Sequence, residues 1–232
     1  AWPFELPTVD LDVQIHEDHV IVTSHLCLEP HSTGEALVLC GVDLQLESIA
    51  IDQHPLREDQ WTLEQSRLTI AHPPDQPFVL TTSCRLHPDQ NSSLEGLYSS
   101  EGMLTTQCEA EGFRRIAFHP DRPDVLSCWS VRIEADQSRY PVLLSNGNGV
   151  SVEAKETGQG RHAMQWVDPS RKPSYLFALV AGDLAEIRDE FRTSSGRTVA
   201  LRLHVEPGDE PFTAHAMASL KRSMEWDERV YQ

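Results

Sequence analysis

Apolar and polar residues alternate near the start of the chain. Val9, Leu11, Val13 and Ile15 stand two apart, His16-Glu17-Asp18-His19 interrupts them, and an apolar pattern resumes from Val20 to Leu28. A period of two puts alternate side chains on one face of a strand, so residues 8–28 predict a hairpin turned by the polar tetrad. Further short strands are predicted at residues 36–39, 43–51, 61–63, 68–71 and 78–86. Gly41, His54-Pro55, residues 64–67 and Pro73-Pro74 separate them. Strands recurring every ~8 to 12 residues with turn signals between them indicate an antiparallel sandwich or barrel.

The same pattern continues past the middle of the chain. Residues 128–135 and 142–145 read as strands, Asn146-Gly147-Asn148-Gly149 as a turn, and residues 150–154 and 162–167 as the next pair. Residues 175–181 form an unbroken apolar run, as a strand buried on both faces would. The composition changes near Gly182. Leu184, Ile187 and Phe191 have local helical spacing, which leaves helix or strand open for residues 183–193, whereas Val199, Leu201, Leu203 and Val205 alternate as a strand after the Ser195-Gly196 turn. Residues 213–231 predict the one long helix, with Thr213 as N-cap and Met217, Leu220, Met224 and Tyr231 on one face. Neither Gly nor Pro closes that helix, so the pattern predicts a chain cut from something longer. Residues 207–211 read as a polar linker, and there is no internal repeat.

Composition narrows the class. At 232 residues, with 39% hydrophobic residues and a mean hydropathy of −0.39, the chain can bury a sizeable core. No apolar run reaches the ~18 residues of a membrane span, and no basic-then-apolar leader opens the chain, so the expected compartment is the cytoplasm. The net charge of −17 is concentrated early: residues 1–70 hold thirteen acids against Arg57 and Arg67 alone. A field of that sign argues against nucleic acid and anionic membrane as partners and mildly favours cationic ligands such as peptide N-termini. Five cysteines, odd in number and without a C-x-x-C, read as buried or half-buried thiols, not as disulfides or a zinc ribbon. Asn91-Ser92-Ser93 reads as a polar turn.

The densest run of chemistry is Thr105-Thr-Gln-Cys-Glu-Ala-Glu-Gly112. If it is extended, Gln107, Glu109 and Glu111 share one face and Cys108 and Ala110 the other, giving an acceptor-rich strip beside Phe113, Arg114 and Arg115. No complete active site accompanies it. There is no Gly-rich phosphate loop and no G-x-S-x-G, and the eleven histidines lack ligand spacing. His16-Glu17-Asp18-His19 is one residue short of H-E-x-x-H and falls at a turn, where two imidazoles do not share a helix face. Cys108 beside a carboxylate would have a raised pKa and little nucleophilicity.

Six blocks carry a more specific signal. They are Leu94-Glu-Gly-Leu-Tyr98, the run ending at Phe113, Asp121-Arg-Pro-Asp-Val125, Ile133-Glu-Ala-Asp136, Tyr140-Pro-Val-Leu-Leu-Ser-Asn-Gly-Asn148 and Tyr175-Leu-Phe-Ala-Leu-Val-Ala-Gly-Asp183. In order and spacing they resemble the N-terminal part of the bacterial aminopeptidase N family of gluzincin zinc metallopeptidases, weakly before Leu94 and strongly after it. The resemblance implies a mainly β fold. Residues 1–181 would form a saddle-shaped, antiparallel, β-sandwich-like N-terminal domain, and residues 182–232 the first strands and first helix of a truncated thermolysin-like catalytic domain. It also implies a strand for residues 183–193. Glu109 would anchor the substrate α-amino group and Gln107 would line the pocket for the first side chain, while Tyr98, Asp121 and Arg122 read as structural and Glu111 as a partner of Arg114 or Arg115. The family's zinc ligands, general base and transition-state tyrosine are absent from this sequence, so zinc belongs to the parent enzyme and none is expected on this chain, which alone would be inactive. The implied partners are peptides with a free N-terminus and the remainder of the catalytic domain, in a monomer. The alternative is a stand-alone, non-catalytic β-domain that acts as a binding or interaction module.

Overall fold

The computed structural model describes residues 2–155 and 160–231. The alternation that opens the chain becomes two long antiparallel strands, β1 (Phe4–Ile15) and β2 (Val20–Pro30), joined by a turn in which the His16 N–H donates to the His19 carbonyl at 2.9 Å. Buried residues in β1 run Phe4 and Leu6, then Val9, Leu11, Val13 and Ile15. The phase slips by one residue because pairing with β2 is irregular between Glu5 and Thr8. Pro7, which has no N–H to give a ladder, sits in that irregularity.

Short strands follow: β3 (Leu37–Cys40), β4 (Gln45–Ile51), β5 (His54–Pro55), β6 (Thr62–Glu64), β7 (Arg67–Ile70), β8 (Phe78–Leu86), β9 (Gly96–Ser100) and β10 (Met103–Gln107). After them come β11 (Ser127–Asp136), β12 (Val142–Ser145), β13 (Asn148–Val152), β14 (Arg161–Lys172) and β15 (Leu179–Gly182). These build an eight-stranded sheet in the order β13-β14-β11-β1-β2-β8-β4-β5, a four-stranded sheet β12-β15-β10-β9 and a three-stranded sheet β3-β7-β6. The pairings are antiparallel except for β1 against β11. That parallel pair brings residues far apart in sequence into the centre of the sheet, with Val9 opposite Trp129 and Val13 opposite Ile133. Inward positions of β1, β2, β8 and β11 belong to one apolar core.

The other face of this sheet carries charge. Asp12 and Arg132, opposite each other in register, pair at 3.0 Å, and Lys155 reaches the second Asp12 oxygen at 2.5 Å. Glu134, fully buried, pairs with the guanidinium groups of Arg132 and of Arg161 (3.0 Å) and accepts the Lys155 backbone N–H at 2.7 Å. A buried carboxylate needs this many donors, since desolvation otherwise disfavours its charge.

The chain divides into two compact units, Ala1–Gly182 and Asp183–Gln232. The second holds an antiparallel pair, β16 (Ala185–Arg192) and β17 (Thr198–Val205), and the helix α1 (Ala214–Val230). Residues 183–193, open between helix and strand on local spacing, are therefore mostly strand. Ile187 and Phe191 are four apart, a separation that fits both periods, and pairing with Leu203 and Val199 selects the extended form.

Two other expectations are corrected. The apolar run 175–181 is not one strand: Pro173 leads into a 3₁₀ turn at Ser174–Leu176 that exposes Leu176, and the strand begins only at Leu179. Thr213 occupies the N-cap position of α1, but its hydroxyl makes no cap and donates instead to the Glu210 carbonyl at 2.8 Å. Asn91 does form a polar turn, accepting from Ser93 and donating to the Glu95 and Leu97 carbonyls at the start of β9. All five cysteines are free thiols, Cys84 and Cys108 buried and the rest half-buried. Among the described residues no helix is long and apolar enough to cross a membrane.

Candidate functional site

The acceptor-rich strip starts on a strand and leaves it at once. β10 is held on one side by β9, with Gln107 opposite Gly96, and on the other by β15, where Thr106 Oγ1 accepts the Leu179 N–H at 2.8 Å. Beyond Gln107 the chain folds back. The Gly112 N–H donates to the Cys108 carbonyl at 2.9 Å, and a 3₁₀ turn follows at Phe113–Arg115. The condition of an extended run from Gln107 to Glu111 is not met: residues 109–112 are a turn, Cys108 is buried, and Gln107, Glu109, Ala110 and Glu111 are all exposed.

Two glycines require this shape. A Cβ at Gly112 would lie 2.3 Å from the Gln107 carbonyl oxygen and 2.9 Å from the Cys108 Cα. Gly96 has φ +71°, and a Cβ there would lie 2.5 Å from that of Arg115. Only residues without side chains let the two backbones approach this closely. On the far side Phe113 is fully buried, edge-on to His119, Trp129 and Phe177 at centroid distances of 5.0, 5.1 and 5.1 Å. Hence the loop is fixed at both ends and open in the middle.

The charges around it are unequally satisfied. Glu111 pairs with Arg114 at 3.0 Å, as its spacing suggested. Arg114 also donates from Nε to the buried Asp121 at 2.7 Å, and Arg115 is taken by Asp43 and Glu95. Among the described residues the Glu109 carboxylate has no hydrogen bond or ion pair; only its backbone carbonyl is engaged, accepting from Gln107 Nε2 at 3.2 Å. The Glu109–Ala110 peptide is cis. Through that 3.2 Å hydrogen bond Gln107 and Glu109 are neighbours on one rim, linked by a main-chain oxygen. A neighbouring cleft of about 330 Å³, lined by Asp43, His87, Asn91, Leu97 and Arg115 among others, does not include them.

Cys108 is no nucleophile here. Burial, and then the charge of Asp121, push its thiol up to about 12. The carboxylate that acts on it is Asp121, not its sequence neighbour Glu109. Asp121 reads as structural, and it accepts the Ser174 hydroxyl at 2.7 Å. Ser174 and His119 escaped sequence reasoning because they join the site through tertiary packing and carry no local motif.

The described residues do not fit a zinc ion. The His16 and His19 rings are stacked, with centroids 4.5 Å apart and planes 16° apart. Among the described residues no group of three or more His, Cys, Asp or Glu could hold a metal.

Relatives agree with this architecture over the whole chain. Aminopeptidase N of Caulobacter vibrioides is 50% identical over 231 residues, which cover 99% of this chain and 26% of that protein. Aminopeptidase N of Escherichia coli is 45% identical over 232 residues, covering 100% of this chain and 26% of that one. The solved structure of Legionella pneumophila aminopeptidase A in complex with aspartic acid superposes with a TM-score of 0.91 at 36% identity, over 99% of this chain and 27% of that chain. An M1 zinc metallopeptidase from Deinococcus radiodurans, at 16% identity and a TM-score of 0.73, shares the fold over 90% of this chain. The chain thus spans about a quarter of the length of the curated relatives it matches. Its residues 8–176 match the Peptidase M1 N-terminal domain, and the chain belongs to that family.

Proposed function

We propose that this chain is the N-terminal portion of a zinc-dependent aminopeptidase, in which Glu109 holds the α-ammonium group of a peptide substrate and Gln107 lines the pocket for the first side chain. The observation that carries this reading is that Glu109 is exposed and unpaired on a fixed loop, while Glu111, Asp121, Asp43 and Glu95 around it are each bound to an arginine.

An α-amino group with a pKa of about 7.7–8.0 is mostly protonated at neutral pH. A carboxylate accepts it through a charge-assisted hydrogen bond, stronger than a neutral one and selective for free N-termini, because a blocked terminus offers no charge. Held at a constant distance from the bond to be cut, such a carboxylate sets cleavage at one residue from the end. Residues 182–232 are, on this proposal, the beginning of the thermolysin-like catalytic domain, and the substrates are peptides with a free N-terminus. The zinc of the parent enzyme would supply Lewis-acid activation of water and carbonyl. Its ligands lie outside this chain, whose own contribution is to bind and orient the amine.

The test is Glu109→Gln in the full-length peptidase that carries this chain, assayed on an aminoacyl arylamide. Loss of a charge pair of this kind should lower kcat/KM about 100-fold. A value within about twofold of the parent would overturn the assignment.

A further inference from the structure

The loop that bears Glu109 hangs between two supports, β10 on one side and Arg114 on the other. Arg114 is the point where the second support converges. Its Nη1 holds Glu111 inside the loop at 3.0 Å, while its Nε, its own N–H and its Nη2 all reach Asp121, at 2.7 Å and 3.3 Å to Oδ2 and 3.4 Å to the backbone carbonyl. Asp121 is itself fastened. Its Oδ1 accepts the Ser174 hydroxyl at 2.7 Å, and its N–H donates to His119 Nδ1 at 2.9 Å. His119 is buried against Phe113 and Trp129, and burial pulls its pKa down to about 4, which keeps the ring neutral and its Nδ1 lone pair available to that N–H. A continuous chain of contacts therefore runs from the aromatic core through Asp121 and Arg114 to the exposed loop.

We propose that Asp121, acting through Arg114, is a positioning residue for Glu109, a role that rests on the amine-anchor reading given above. Two effects combine. The fork of contacts fixes the C-terminal end of the loop, and so the place of the carboxylate. The same contacts commit the Arg114 charge to Asp121 and Glu111, which leaves Glu109 without an internal counter-ion and open to the substrate's ammonium. Remove the Asp121 charge and the loop loses its inner clamp, while the guanidinium becomes free to neutralise Glu109.

The experiment is a double-mutant cycle in the full-length peptidase, with steady-state kinetics on an aminoacyl arylamide and a thermal melt of each variant. A displaced anchor weakens ground-state and transition-state binding alike, so Asp121→Asn should raise KM about tenfold with kcat within about twofold. Since Asp121 acts through Glu109, the double variant with Glu109→Gln should be no worse than Glu109→Gln alone. A lowered melting temperature with KM unchanged, or a loss that multiplies onto that of Glu109→Gln, would reject the positioning role and leave the anchor in place. Glu109→Gln without effect would reject both. Where Asp121→Asn does not fold, Arg114→Lys keeps the charge but not the fork and should show the same KM rise and the same absence of further loss in combination.

Discussion

Glu134 and Glu109 belong to the same unit and meet opposite conditions. Glu134 stands within β11 without exposed surface, gripped by Arg132, Arg161 and the Lys155 N–H. Glu109 stands on a turn, in solvent, with no donor to its carboxylate among the described residues. In the sheet, charge is neutralised within the fold because a buried carboxylate has no water to solvate it. On the loop, water can solvate the carboxylate until a ligand replaces it, so the fold need not supply a partner. On the proposed function, stability and binding fall to different acids, and the difference lies in desolvation, not in residue type.

The contrast can be broken at three strengths. The largest effect is expected from Glu134→Ala, which removes the buried carboxylate that Arg132 and Arg161 share. Urea unfolding of the chain should show a loss of about 3–5 kcal/mol. A loss under about 1 kcal/mol would mean that the network is not the clamp its distances indicate.

Next comes acid. His119 has a folded pKa of about 4 against about 6.5 when unfolded, owing to its burial. Between those values the unfolded chain binds a proton that the folded chain refuses, so stability falls as pH drops through the window and is flat above it, by an amount on the order of 3 kcal/mol. His119→Gln, which keeps an acceptor for the Asp121 N–H, should flatten that part of a melting-temperature profile. An unaltered slope would assign the acid sensitivity to other groups.

The smallest effect sharpens the comparison from the other side. Glu109→Gln should leave the unfolding free energy of the chain within about 0.5 kcal/mol of the parent, since no internal contact of its side chain is lost. A larger destabilisation would give Glu109 a structural partner and remove the distinction.

Long alternation was the most legible feature of this chain. The pattern of Val9 to Ile15 and Val20 to Leu28 places both strands of the first hairpin within a few residues, and the family resemblance of the later blocks agrees with the family match. The run 175–181 misleads because apolar content says nothing of the turn that Pro173 introduces. The condition that the strip be extended fails for a similar reason. Whether the chain continues straight past Gln107 depends on Gly112 meeting Gln107 and Gly96, a packing relation that spans three segments. Only the family resemblance singles out Glu109 from its neighbours, and its freedom from partners is not legible in the sequence at all. That rests on where Arg114 and Arg115 point, and so on Asp121, Asp43 and Glu95.

The close approach of Gly96 and Gly112 also sorts the loop by its tolerance to change. A side chain at either glycine would force apart the segments that meet there. Ala110 faces solvent and can be exchanged with little disturbance to the core, whereas Glu111 is tied to Arg114. A designed library is thereby directed to the rim at Ala110, where a side chain can change without redrawing how the loop is hung.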